Sequence, residues 1–340
     1  MDGLDDVVDD LQGRAVLVVG DAMLDEYVLG SAVRICREGP APVVHVNRRR
    51  REPGGAGNVA ANAAALGARV AFLSVVGDDR DGHLLREALV ARGVPDGDVL
   101  TEPGRTTLAK RRVVADGQLL LRVDDGDPVD LSGQAEDELL RRLDAAYPTA
   151  DAVVVSDYGY RAVSDRIVER LAVLQRRHSA VLVVDAHDLA RYREVGATAV
   201  KPNYGEALPL MSGQPAQGGE RAAGVAAEAR HILEATGSRI AAVTLDADGA
   251  VVCERGRAPY RTWARPGATT GACGAGDSYT ATLALALASG LGTTRAAALA
   301  QAAAEVVTGR EGTSTCSADD LRQQVGGGTE AVRVPEELAA

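Results

Sequence analysis

Gly271-Ala272-Cys273-Gly274-Ala275-Gly276-Asp277 runs directly into the alanine-rich stretch 278–288, and here residue types and spacing come closest to chemistry. Three glycines within six residues let the backbone turn sharply and approach a ligand, and the apolar run behind them has helical length and spacing. Unpaired N–H groups at a helix N-terminus, aided by the helix dipole, make an anion hole, and Gly274, Ala275 and Gly276 carry nothing bulky enough to block it. Asp277 stands where a carboxylate can accept a proton. It also stands where Asp commonly caps a helix, so these residues alone leave both roles open.

Other polar residues gather at the expected ends of strands. The run 15–20 is short and apolar and ends in Gly20-Asp21, which reads as a strand delivering a loop to the carboxyl edge of a sheet, with Asp25 on that loop and able to hold sugar hydroxyls. Asp157, Asp185 and Asn203 close three later strands. Asn203-Tyr204-Gly205-Glu206 places an amide and a carboxylate one helical turn apart, a spacing suited to ordering waters around Mg²⁺ near phosphates. Gly54, Gly55 and Asn58 open a helix that Gly67 ends; they either let a polyhydroxylated ligand touch backbone or serve helix–sheet packing. That stretch fails as G-x-G-x-x-G, and the chain has no G-x-x-x-x-G-K-[ST], so neither a dinucleotide site nor a P-loop is expected.

The elements that must position these groups alternate. Strands over 70–76, 152–156, 181–185 and 198–201 are interleaved with helices over 81–92, 132–146 and 164–177, then strands over 239–246, 250–254 and 260–263 and helices over 278–289 and 294–308. Repeated βα order predicts an α/β fold with a doubly wound, mostly parallel sheet and ligands at the strands' carboxyl ends. Two segments break the pattern. Residues 27–51 carry short β-like pieces, and 106–124 alternate around Asp116-Gly117, a strong hairpin signal. Together they predict a small antiparallel β lid beside one domain spanning 1–323, with residues 324–340 frayed.

Composition sets outer bounds. A net charge of −11 over 340 residues argues against a nucleic-acid partner. Cys36, Cys253, Cys273 and Cys316 form no C-x-x-C pair, so no zinc site or disulfide framework is indicated. No run reaches the roughly 18 apolar residues of a membrane span, and the acidic N-terminus lacks a signal core, so no membrane partner and a cytoplasmic location are expected.

Seven ordered stretches, Gly20 to Asp25, Pro40 to Val44, Pro53 to Ala60, Ser156 to Tyr158, Lys201 to Asn203, Gly274 to Asp277 and Gly312 to Thr315, resemble the ribokinase-like (PfkB) carbohydrate kinases. The resemblance runs from Val16 to Ser317 and is nearest to the kinase that phosphorylates C1 of D-glycero-D-manno-heptose 7-phosphate in ADP-heptose synthesis. It implies an ATP- and Mg²⁺-dependent sugar kinase. Asp277 would be the base, with Gly274, Ala275 and Gly276 forming the anion hole. Asp25, Gly54, Gly55, Asn58 and Asp157 would hold the sugar, and Lys110, Arg112 and Arg122 its existing phosphate. Asn203 and Glu206 would organise Mg²⁺ through water, with Asp246, Gly249 and Thr313 completing the nucleotide site. The lid would exclude water and pair two copies in a homodimer. Relatives often have D-x-T-G-A-G-D where this chain has Gly271 and Cys273, so a monovalent cation site is expected to be weak. They also have Asp-Pro-Lys where Asp185-Ala186-His187 stands, which leaves a kinase for another sugar, sugar phosphate or nucleoside, or a catalytically weak sugar-binding homologue, as alternatives.

Overall fold

The computed structural model describes residues 4–212, 220–264, 272–326 and 336–337. After helix α1 (Leu4–Asp10), strand β1 (Ala15–Gly20) starts a ten-stranded sheet. Its valine-rich run has no polar interruption because both faces are covered: Val16 and Val18 enter one hydrophobic layer, while Leu17 and Val19 enter the other. The chain then leaves the sheet through β2 (Ala22–Ile35) and β3 (Pro42–Gly55), and returns by α2 (Ala56–Ala65), β4 (Arg69–Gly77), α3 (Arg80–Ala91) and β5 (Val99–Glu102). A second excursion, β6 (Ala109–Ala115) and β7 (Gln118–Asp125), precedes α4 (Gly133–Ala146) and β8 (Ala152–Asp157). Next come α5 (Asp165–His178), β9 (Val181–Ala186), β10 (Ala199–Val200), α6 (Tyr204–Ala207), α7 (Glu220–Ala227), α8 (Ala229–Thr236), β11 (Ile240–Thr244), β12 (Ala250–Glu254) and β13 (Tyr260–Thr262). The chain closes with β14 (Ala272–Cys273), α9 (Ala275–Ala288), α10 (Thr293–Thr308), β15 (Gly312–Thr313), α11 (Ala318–Gly326) and β16 (Glu336–Glu337).

Sheet order is β16-β13-β12-β11-β10-β9-β8-β1-β4-β5. Pairings from β11 to β5 are parallel, and those from β11 to β16 antiparallel. The predicted doubly wound α/β architecture is therefore present. Helices α2, α9 and α10 pack on one face and α4, α5, α7 and α8 on the other. Helix α9 is buried almost all round, from Asp277 to Leu287, which accounts for its lack of a polar stripe. No helix among the described residues is long and apolar enough to cross a membrane.

The two excursions join in a four-stranded sheet, β3-β2-β6-β7. The β2/β3 and β6/β7 pairings are antiparallel, whereas β2 and β6 run parallel. Asp116 and Gly117 take φ of +51° and +81°, the left-handed pair that the hairpin signal requires. Strand β2 begins at Ala22, so Asp25 lies on a strand and not on the loop expected from the sequence. The reason is its pairing: Asp25 stands opposite Glu52 on β3 and Lys110 on β6, so the chain goes straight into the second sheet without a connecting loop. Of the residues read as frayed, 324–326 complete α11 and 336–337 pair with β13; the others lie outside the described residues.

At Gly20, where β1 pairs with Ser156 of β8, there is no space for a side chain. A Cβ there would be driven into the Ser156 carbonyl and would meet Ala56 Cβ at 2.9 Å, so strand pairing and the seating of α2 both require glycine. Gly20→Ala is expected to destabilise the fold by at least about 2 kcal/mol. Gly133→Ala, where a Cβ meets nothing within 4 Å, should stay within roughly 0.5 kcal/mol of the parent. Urea unfolding of the two variants checks both values.

Candidate active site

Helix α9 starts without a side-chain cap. Gly274 is its N-cap residue at φ +93°, and Ala275, Gly276 and Asp277 make the first turn, whose N–H groups have no intrahelical acceptors. Gly274 is needed twice over, since its backbone is left-handed and a Cβ would run into the Asn58 amide. A Cβ on Gly276 would sit 3.2 Å from Lys201 Nζ. The turn is therefore hemmed in by polar side chains yet has none of its own before Asp277.

Asp277 is not the cap. It is buried in the first turn, where Asn58 Nδ2 donates to Oδ2 at 2.7 Å and the Tyr158 hydroxyl donates to Oδ1 at 2.8 Å. Burial pushes its carboxyl up to about 6, with Asp185 adding to the rise and Asn58, Tyr158 and Lys201 opposing it. A carboxylate in that range is charged at neutral pH and still basic enough to accept a proton.

Asn58 reaches Asp277 from the first turn of α2, and Asn62, one turn on, donates Nδ2 to the Asn58 carbonyl at 2.9 Å. Asn62 Oδ1 accepts from Ser278 Oγ at 2.5 Å and from Cys316 N at 3.1 Å, which ties α2 to α9. Lys201, at the end of β10, is buried with Nζ 3.0 Å from Asp185 Oδ2. Burial alone would depress its ammonium, but Asp185, Glu206 and Asp277 together hold it above the ordinary lysine value. Thr280 Oγ1 lies 2.9 Å from both Asp185 Oδ2 and the Gly276 carbonyl, so the end of β9 is bound to the first turn of α9.

A second group forms where the lid meets the main sheet. Asp25 accepts from Arg112 Nη1 at 2.6 Å and Thr313 Oγ1 at 2.7 Å. A Cβ on Gly54 would stand 2.7 Å from Asp25 Oδ2, and Gly55 at φ +57° lies against the Asp21 carbonyl, so both glycines serve close backbone packing here. The Tyr27 hydroxyl accepts from Thr313 N at 2.8 Å, and the guanidinium groups of Arg50 and Arg112 lie over its ring, 4.6 and 5.2 Å from its centre. Thr313, expected on the nucleotide side, thus sits beside Asp25. The other two basic candidates of the lid are also paired with an acid: Lys110 Nζ is 3.2 Å from Asp124, and Arg122 bonds Asp124 at 2.9 and 3.0 Å.

The remaining candidates are engaged separately. Asp157 accepts from Gly159 N, Arg191 Nη1 and the Tyr192 hydroxyl at 2.9, 2.9 and 2.6 Å. Asn203 and Glu206 form a capping box on α6, each side chain accepting from the other's backbone N–H at 2.9 Å, and Glu206 Oε1 is left 3.6 Å from His187 Nε2. Asp246, at φ +54°, accepts from Arg221 at 3.1 Å, and Gly249 at φ +85° abuts the Thr262 carbonyl. Gly271 lies outside the described residues, while Cys273 pairs with Thr313 across β14 and β15.

Asp277, Gly274, Gly276 and Asn58 thus come together, as do Asp25, Gly54, Arg112 and Thr313, whereas Asp157, Asp246 and Gly249 are held in local contacts of their own. Tyr158 and Lys201 were not singled out as site residues from the sequence. Each stood in a motif beside one that was, Tyr158 after Asp157 and Lys201 two before Asn203, but nothing in the spacing shows a side chain reaching across to another helix.

The description pfkB family carbohydrate kinase matches residues 14–320. The chain is 35% identical over 310 residues to the "Bifunctional protein HldE" of Desulfatibacillum aliphaticivorans and 37% identical over 314 residues to that of Paramagnetospirillum magneticum, covering 91% and 92% of this chain. It spans only 63% and 64% of the length of those two relatives. Among solved structures, Escherichia coli phosphofructokinase-2 in complex with substrates and products superimposes with a TM-score of 0.74 at 21% identity, over 92% of this chain and 97% of that one. Arabidopsis thaliana ribokinase complexed with ribose and ATP gives 0.68 at 21%, over 91% and 97%. The fold is ribokinase-like, and the chain belongs to the PfkB family of carbohydrate kinases, phosphotransferases acting on a sugar hydroxyl.

Proposed function

We propose that this kinase transfers the γ-phosphoryl group of ATP to the C1 hydroxyl of D-glycero-D-manno-heptose 7-phosphate. The observation that carries the transfer chemistry is the buried Asp277 in the same helical turn as the N–H groups of Ala275 and Gly276, which have no intrahelical acceptors. Asp277 accepts the acceptor hydroxyl's proton. The amides of the turn, with the helix dipole behind them, receive the negative charge of the phosphoryl oxygens in flight. Phosphoryl transfer needs mostly positioning and charge neutralisation, so one carboxylate and one anion hole are a sufficient protein contribution. Asp25 and Asn58 hold the sugar, and Gly54 and Gly55 serve it by letting Asp25 and the Asp21 backbone pack closely beside it. Lys110, Arg112 and Arg122 face its 7-phosphate, for which Asp124 and Asp25 are the present partners.

Asn203 and Glu206 hold Mg²⁺ through its water shell, with Asp246 and Gly249 in the nucleotide site, while Thr313 stands on the sugar side beside Asp25. One Glu206 oxygen is taken by the Asn203 N–H, and no cluster of three or more metal-ligating side chains occurs among the described residues. That donor set fits a hydrated ion on phosphates and not a direct cage. When bound, Mg²⁺ neutralises phosphate charge. The heptose assignment is supported by the ordered motifs and by the likeness to the two-part relatives, of which this chain spans one share.

The test is ADP release with sugar phosphates, free sugars and nucleosides as acceptors; heptose 7-phosphate should give the highest kcat/KM. A different preferred acceptor overturns the substrate, and release with none overturns the activity. In the same assay Asp277→Asn should lower kcat by roughly 10²- to 10⁴-fold. Because Asp277 titrates at about 6 and acts as the charged form, wild-type kcat/KM should fall as pH drops through that value. Near-full turnover by the variant, or flat activity down to pH 5, contradicts the base role. Replacing K⁺ by a bulky organic cation at equal ionic strength should change turnover little, since Cys273 offers a thiol and not a hard oxygen ligand.

The lid also gives a partner. Val33, Ile35, Leu119 and Leu121 are 84, 64, 59 and 56% exposed on this small sheet, and a second copy related by a twofold axis would cover them. Sedimentation at micromolar concentration should return twice the mass of 35.2 kDa, and Leu121→Asp should halve it. A wild-type monomer contradicts the dimer.

A further inference from the structure

Residues 158–162, which follow β8, join three things that the transfer reading does not connect. Their backbone is strapped to Asp21: Tyr158 N, Tyr160 N and Ala162 N donate to its carboxylate at 2.8, 3.0 and 3.0 Å. Asp21 is buried, and its strand is fixed to β8 through the Asp21 N to Ser156 carbonyl bond of 3.1 Å. From this strap the Tyr158 side chain turns inward to Asp277 Oδ1, while Tyr160 turns to the lid, its hydroxyl 3.3 Å from Lys110 Nζ. The Tyr158 ring also packs edge-on against His187, with ring centroids 5.7 Å apart.

Three amide donors on one buried carboxylate make an unusually fixed turn, because releasing it would leave several buried groups without partners at once. A carboxylate that must meet an acceptor hydroxyl in line with a phosphoryl group gains most from a fixed orientation. Asn58 fixes one oxygen of Asp277 and Tyr158 the other. We propose that Tyr158 is a positioning residue for the transfer, holding the Asp277 carboxylate in its reactive orientation, and that Asp21 acts through it by clamping the 158–162 turn. The proposal rests on Asp277 being the base.

The groups facing this arrangement are few. Asp277 is bordered by Asn58 from α2, Asp185 from β9 and Lys201 from β10. Tyr158 feels Asp185 and Asp277, and Asp21 has Asp157 as its charged neighbour. The Tyr158 hydroxyl stabilises the charged form of Asp277, so its removal must make that carboxyl easier to protonate. Burial and Asp157 hold Asp21 up to about 6, opposed by its three amide donors, so Asp21 keeps its charge at neutral pH and above.

The experiment compares Tyr158→Phe and Asp21→Asn with the wild type. Phe keeps the ring packing and removes only the hydroxyl. Its kcat should fall on the order of tenfold, as for the loss of one hydrogen bond to a charged group. KM for the sugar should hold, and the acid limb of kcat/KM should move to higher pH. Asp21→Asn should change kcat and the acid limb in the same directions, because it frees the turn that carries Tyr158. A carbon-13 titration of the Asp277 carboxyl, assigned with Asp277→Asn, reads the same displacement in Tyr158→Phe without turnover. A lost melting temperature with an unmoved acid limb and an unmoved carboxyl titration would make Tyr158 a packing residue and overturn the proposal. If the wild type releases no ADP with any acceptor, the kinase reading fails on that result alone, and the carboxyl titration still decides whether Tyr158 holds Asp277.

Discussion

A carboxylate taken out of water is costly unless donors or cations meet it, and Asp277 is buried beneath the first turn of a helix. Its surroundings are arranged to meet that cost. Asn58 comes from α2, Tyr158 from the turn after β8, and Lys201 from the end of β10. Each donor needs room, and the glycines supply it: Gly274 yields to the Asn58 amide and Gly276 to the Lys201 ammonium. Loss of any one partner would leave a buried charge less compensated, so the convergence of three elements on one side chain constrains the packing of α2 and α9 on the sheet.

The same carboxylate is linked to the lid by a short chain of contacts. Strand β14 runs into Gly274 and pairs with β15, and Thr313 on β15 bonds both Asp25 and Tyr27 of the lid strand. Arg50 adds a bond to the Glu311 carbonyl from β3. A lid held at this point sits beside the anion hole, where exclusion of competing water matters most. Lys110, Arg112 and Arg122 are each paired with an acid, so a substrate phosphate held by them, as proposed, would have to exchange partners and not simply occupy a positive surface.

Much of this was legible in the sequence, and the limits have physical causes. The valine runs of β1, β8 and β9 read directly because strands buried on both faces carry no polar interruptions. Ser132 and Ser164 marked their helices because each side chain does accept from the third residue on. Strand β5, four residues at the sheet edge, is too short for any period to show, and the buried stripe of α7 and α8 is built largely of alanine, Ala222 and Ala226 beside Val225, so its apolar signal is weak. Asp25 reads as a loop residue because Gly-Asp after an apolar run is an ordinary strand ending, and only pairing to β3 and β6 reveals that a second sheet begins there. Asn203 and Glu206 carried two meanings at one spacing; the capping box satisfies one of them, and water ordering around a metal is compatible with it. Tyr158, Lys201 and Asp21 act over long sequence separations, which local pattern does not encode.

The most direct measurement of the central claim is a crystal structure with MgADP, aluminium fluoride and the preferred acceptor. The fluoride complex should lie within hydrogen-bonding distance of the Ala275 and Gly276 amides, with the acceptor hydroxyl against Asp277. A complex seated elsewhere, with Asp277 still bonded only to Asn58 and Tyr158 and no acceptor oxygen beside it, would contradict the account.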